Sequence, residues 1–175
     1  MSIMQKAAQM ITPKERFGSI YDVSLSYLLK KGIKGIILDV DNTLLSPEAK
    51  SPSLKCRQWL EALKDQGLKA CLVSNERDPK RLTMLAEVFN VPAVHSALKP
   101  FPWAMENAIQ ELLGLSPQEV AVIGDTIISD VIPGNLLKAH TILVDPIAEQ
   151  EDHVFHWLTR RTGDALARVI TRTAK

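Results

Sequence analysis

A chain of 175 residues, 46% hydrophobic and 23% charged, has the composition of an ordinary globular protein, long enough to bury one good core. Its net charge of +1 offers no electrostatic case for a nucleic-acid partner. Cys56 and Cys71 stand far apart without a CxxC, so neither a disulfide framework nor a zinc knuckle is suggested, and no run of about 18 apolar residues offers a spanning helix.

The chain opens with "MSIMQKAAQMITPKERF", which lacks the longer apolar stretch of a secretory signal, so a reducing, cytoplasmic setting is the default. "SIYDVSLSYLLKKG" reads as a helix packed before the first strand, making residues 1–33 a helical arm that is able to border a site. Five short apolar runs follow: "GIILDVD" (35–41), "LKACLVSN" (68–75), "VPAVHSA" (91–97), "EVAVIGD" (119–125) and "HTILVDP" (140–146). Their near-continuous apolar character, without alternation, is that of strands buried on both faces of a parallel sheet.

Between these runs the spacing is helical. Leu54, Trp59, Leu60 and Leu63 share a face in Ser53–Gln66, which Gly67 stops. Asp78–Asn90 opens with an N-cap followed by proline at the first helical position. Helices near Pro102–Leu113 and Ser129–Lys138 complete the alternation, with Pro133 early enough to be tolerated. The expected fold is α/β: a doubly wound, Rossmann-like parallel sheet of about five strands with helices on both faces. One domain spans 1–175, with 147–175 as a basic C-terminal helical segment.

In such sheets ligands bind beyond the carboxyl ends of the strands. The polar residues of this chain gather there: Asp39 and Asp41, Ser74 and Asn75, Lys99, then Asp125 and Asp130. An oxygen-only carboxylate set suits a hard cation, Mg²⁺ above all, which keeps waters and accepts a substrate phosphate. Asp39 can attack phosphorus and form an aspartyl phosphate, while Asp41 can protonate the leaving oxygen and later activate water. Backbone N–H groups of Val40–Asn42 can face the phosphate, and Ser74 and Lys99 can hold its other oxygens. Asp125 completes the metal site.

"DVDNT", "SN", "KP" and "GDTIISD" together resemble the four motifs of the haloacid dehalogenase superfamily, in order, over residues 35 to 146. The resemblance implies Asp39 as nucleophile, Asp41 as general acid/base, Ser74 as the second-motif hydroxyl and Lys99 as the third-motif lysine. It implies Mg²⁺ held by Asp39, the backbone carbonyl of Asp41, and Asp125, with Thr43 and Asp130 in support. An Asp at 41 favours a phosphatase over the transport ATPase branch.

The gaps from Asp41 to Ser74 and from Ser74 to Lys99 have no room for the cap domain that many relatives insert. An open site suits a phosphate presented from a lipid, protein or polymer surface. Through "GIKGIILDVDNTLLSP", "VPAVHSALKP", "EVAVIGDTIISDVIPGN" and "HTILVDPI" the chain more specifically resembles the capless YqeG-type phosphatases, related to phosphatidylglycerophosphate phosphatases. That implies a phosphorylated substrate, a phospholipid head group among the candidates, with peripheral contact at the inner face of a membrane left open. Departures at Glu76, Thr126 and Pro133–Leu136 bear on the lipid assignment and leave the chemistry intact.

Several residues have plainer readings. Asn75 is a candidate phosphate contact, yet loop shaping is favoured for it and for Asn42. His95 is expected to be structural, and the His153/His156 pair has no further ligands to make a zinc site. The C-terminal basic amphipathic segment either docks on the domain or lies on an anionic membrane, with docking favoured. The competing functions are the same chemistry on a soluble sugar phosphate or nucleotide, a phosphoacceptor receiver domain, and a catalytically silent binding protein.

Overall fold

The computed structural model describes residues 2–76 and 78–147. Arg77 and everything beyond residue 147, including His153, His156 and nearly all of the basic C-terminal segment, lie outside the described residues.

Six strands form one all-parallel sheet: β1 (Glu15–Phe17), β2 (Gly35–Leu38), β3 (Lys69–Val73), β4 (Ala93–Val94), β5 (Val120–Gly124) and β6 (His140–Val144). Their order is β1-β6-β5-β2-β3-β4. The five runs read from the sequence are β2 to β6. The sixth strand, β1, is one more than the expected five or so, and it lies within the arm over 1–33 that the sequence reads as helical. Three residues are too few for a periodic signal, and only pairing with β6 (Arg16 opposite Leu143) makes them a strand.

The helices are α1 (Ile3–Ile11), α2 (Leu25–Lys30), α3 (Leu54–Asp65), α4 (Pro79–Phe89), α5 (Trp103–Asn107) and α6 (Ile132–Leu136). Ser53 caps α3 by accepting the Cys56 N–H, and Gly67 beyond its end takes a φ of 77°. Asp78 caps α4, whose first residue is Pro79. α5 continues as a widened π-type turn over Ala108–Leu112, and a second such turn, Ile127–Val131, leads into α6.

Central strands β2 and β5 are buried along their whole length, as a sheet covered on both faces requires. Ile36, Leu38, Leu72 and Ile123 pack with Leu60, Leu63, Leu82 and Leu85 on one face. Ile37, Cys71, Val73 and Val122 pack with Met105 and Ile109 on the other. Asn135 fastens the N-terminal arm: its Nδ2 lies within 3.0 Å of the Gln9, Met10 and Thr12 carbonyls left over at the end of α1. No cap domain interrupts the described residues. β2 and β3 are joined by a loop and α3, and β3 and β4 by α4 alone.

Candidate active site

Because β2 lies between β5 and β3, the loops leaving these three strands open onto one crevice at the carboxyl edge of the sheet. A cleft of about 310 Å³ is lined there by Asp39, Asp41, Ser74, Asn75, Glu76, Lys99, Asp125, Thr126 and Ser129. No residue of the N-terminal arm lines it, and His95 is exposed beyond β4 and outside it.

Lys99 sits at the centre, with 2% of its side chain exposed. Its Nζ donates to Asp39 Oδ1 at 2.5 Å and to Asp130 Oδ1 at 2.8 Å. Thr43 donates to the other Asp39 oxygen at 3.3 Å. Burial alone would push the ammonium of Lys99 down, but Asp130 and Asp39 outweigh it and hold the group above its ordinary value. Burial raises the Asp39 carboxyl above the usual carboxylate range; Lys99 opposes this, and Asp130 and Asp41 add to it.

Asp130 is built into the fold by the widened turn that carries it. Its Oδ2 accepts the Thr126 N–H at 3.1 Å and the hydroxyls of Thr126 at 2.8 Å and Ser129 at 3.2 Å. Gly124 makes room for it, since a Cβ there would lie 2.2 Å from Asp130 Cγ. Carboxylate oxygens of Asp39, Asp125 and Asp130 lie within 4.8 Å of one another. Three hard oxygen donors so close repel each other and fit a divalent cation; no His or Cys joins them among the described residues.

The Asp41 side chain stands apart from that cluster. Its Oδ1 accepts a hydrogen bond from Arg81 Nη1 at 2.6 Å. Ser74 is buried, and its Oγ accepts the Glu76 N–H at 2.9 Å. The amide of Asn75 donates to the Lys99 carbonyl at 3.2 Å and accepts the Lys99 N–H at 2.9 Å, tying the two loops together, and Asn75 also lines the cleft. Asn42 takes a left-handed φ of 62° and donates its N–H to the Leu45 carbonyl at 2.7 Å. Of the backbone N–H groups of Val40–Asn42 expected from the sequence to be able to face a phosphate, that of Asn42 is spent within the loop. Sequence reasoning did not find Arg81; its only signal was a basic residue in the first turn of a helix that starts at the carboxyl edge.

The haloacid dehalogenase-like hydrolase family matches residues 49–136. "Probable phosphatase YqeG" of Bacillus subtilis (strain 168) is 31% identical over 159 residues, covering 89% of this chain and 91% of that protein. "Phosphatidylglycerophosphate phosphatase 1, chloroplastic/mitochondrial" of Arabidopsis thaliana is 26% identical over 95% of this chain, which spans only 50% of that protein. Among solved structures, the cobalt-bound deoxy-D-mannose-octulosonate 8-phosphate phosphatase of Haemophilus influenzae shares the fold at a TM-score of 0.51 and 14% identity, covering 81% of this chain and 89% of that one. The chain therefore belongs to the haloacid dehalogenase-like hydrolases and is a phosphatase-type member of that family.

Proposed function

We propose that this chain is a Mg²⁺-dependent phosphomonoester phosphatase that works through an aspartyl phosphate on Asp39. An Asp39 oxygen bonds to phosphorus as the bond from phosphorus to the leaving oxygen breaks, and that oxygen takes a proton from Asp41. Water then attacks the phosphorus, gives a proton to Asp41, and leaves inorganic phosphate and free Asp39. Ser74 and Lys99 hold the non-reacting phosphate oxygens, with Asn75 aiming Lys99 through its backbone. Thr43 and Asp130 keep Asp39 and Lys99 in place.

The cation would be held by Asp39, the Asp41 carbonyl and Asp125; Asp130, though within the same cluster, is already committed to Lys99 and Thr126. When bound, it supplies positive charge to the transferring phosphoryl group and its nucleophile. The observation that carries this reading is the ammonium of Lys99 buried between Asp39 and Asp130, with Asp125 beside them and Asp41 two residues beyond Asp39.

For the substrate, we favour a phosphate displayed on a lipid head group, phosphatidylglycerophosphate first. The plant relative bears that activity in its name, no cap domain occurs among the described residues, and Leu98, Phe101 and Trp103, close to Lys99 in the chain, are exposed apolar side chains. The Phe101 and Trp103 rings stack at 4.4 Å. An indole such as that of Trp103, apolar in body with a polar N–H, settles at the head-group level of a bilayer. The setting that goes with this is cytoplasmic, with peripheral contact at the inner membrane face, for one domain spanning 1–175. No described helix is long and apolar enough to cross a membrane.

The test is phosphate release with Mg²⁺ from phosphatidylglycerophosphate in mixed micelles, beside a panel of soluble sugar phosphates and nucleotides. Asp39→Asn and excess chelator are the controls. Preference for the lipid supports the whole reading, and preference for a soluble ester keeps the chemistry and removes the lipid. Full activity of Asp39→Asn sinks the mechanism.

A further inference from the structure

Arg81 is the third residue of α4, and its guanidinium bonds to two residues that line the cleft, Asp41 and Glu76. Nη1 donates to Asp41 Oδ1 at 2.6 Å and to Glu76 Oε2 at 2.8 Å, and Nη2 donates to the Ser46 carbonyl at 3.3 Å. Only 16% of the side chain is exposed. Glu76 is itself fixed, because its other oxygen accepts the Asp78 N–H at 3.0 Å and its own N–H donates to Ser74. One arginine thus joins the loop after β2, the loop after β3 and the start of α4.

Two uses of this arginine can be separated on charge. As a site for a substrate anion it is poorly made, since two carboxylates against one guanidinium leave the trio with a net negative charge. As a clamp it is better made: Glu76 and the Ser46 carbonyl hold the planar guanidinium in place, so the one hydrogen bond from Nη1 to Asp41 Oδ1 comes from a fixed donor. Among the described residues only Oδ1 of Asp41 is engaged, and the residue lines the cleft. We infer that Arg81 is a positioning residue, which holds Asp41 by Oδ1 so that Oδ2 meets the leaving oxygen of the phosphoester, with Glu76 holding Arg81 in turn.

This inference rests on the reading of Asp41 as the general acid. Proton transfer needs a heavy-atom approach of about 2.6–3.2 Å, and a misplacement near 1 Å costs on the order of a hundredfold. A free Asp41 rotamer would spend most of its time outside that range.

The test compares two soluble substrates at saturating Mg²⁺: p-nitrophenyl phosphate, whose leaving group departs without a proton, and a simple alkyl phosphate, whose leaving group needs one. Arg81→Gln should lower kcat/KM, which reports the step in which the leaving group departs, by about ten- to a hundredfold on the alkyl ester and far less on the nitrophenyl ester; the later hydrolysis of the aspartyl phosphate is common to both. Arg81→Lys should recover part of the loss, and Glu76→Gln should show the same selectivity more weakly; these two carry the test if Arg81→Gln melts far below the parent. Equal losses of kcat/KM on both esters, or no loss on either, would overturn the inference. Asp41→Asn provides the reference. If it discriminates between the esters and the Arg81 variants do not, the clamp is wrong while the acid stands. If Asp41→Asn itself fails to discriminate, the acid reading falls and the clamp falls with it.

Discussion

Replacing Gly124 by Ala adds one methyl group at the end of β5, and the structure says where it lands. The new Cβ would lie 2.2 Å from Asp130 Cγ, 2.4 Å from Oδ2 and 2.6 Å from Cβ, where ordinary contact begins at 3.4 Å. The obstacle is the root of a side chain only 1% exposed, so no flexible tip can give way. Asp130 must retreat by about 1.2 Å, and a shift of that size in a buried carboxylate disturbs its 2.8 Å hydrogen bond from Lys99. Overpacking alone costs about 1–3 kcal/mol, and disrupting a buried ion pair about 3–5 kcal/mol. Since Lys99 keeps Asp39, the expected sum is about 3–5 kcal/mol, a large part of a domain's usual stability of about 5–15 kcal/mol. Urea unfolding followed by circular dichroism measures it, and phosphatase activity should fall in parallel. In an Asp130→Ala background the same substitution should cost little, because the obstacle is gone. A loss below about 0.5 kcal/mol in the parent would refute the reasoning.

Three further outcomes are expected. Lys99→Met leaves the carboxylates of Asp39 and Asp130 facing each other, so it should lose about 3–5 kcal/mol in chelator and regain part of that with added divalent cation; a neutral effect in chelator would contradict the geometry. Hydrogen bonds from Lys34 and from the Ser116 hydroxyl and N–H hold the Glu119 carboxyl down at about 2. Its folded pKa is below the unfolded one, so its contribution is present above about pH 4.5 and lost as pH falls towards 2; Glu119→Gln should flatten the melting temperature over that interval, and an unchanged acid profile would count against the contact. Burial pushes the Cys71 thiol up to about 12 and the Cys56 thiol to about 11. Neither should react with a thiol reagent at pH 8 until urea unfolds the chain, and fast labelling of the native protein would show the burial to be wrong.

What could be read from the chain alone was local. Apolar runs such as "GIILDVD" and "EVAVIGD" announce buried parallel strands because a sheet covered on both faces has no polar side to alternate. Ser53, Asp78–Pro79 and Gly67 mark helix ends because caps and left-handed turns are decided by one or two adjacent residues. The carboxylates and Lys99 were legible as a set because they end strands, and strand ends of a parallel sheet share one edge. Other features were decided by the strand order β1-β6-β5-β2-β3-β4. It made a strand of Glu15–Phe17 by giving it β6 as a neighbour. It brought Arg81 to Asp41 across 40 residues of chain, where the sequence offers only a basic residue in a helical turn. It also set Asp130 against Gly124 and Lys99, and Asn135 beneath the end of α1. Periodicity and caps act between residues a few positions apart, whereas a hydrogen bond between two loops depends on which strands lie side by side, and that is a property of the packed sheet.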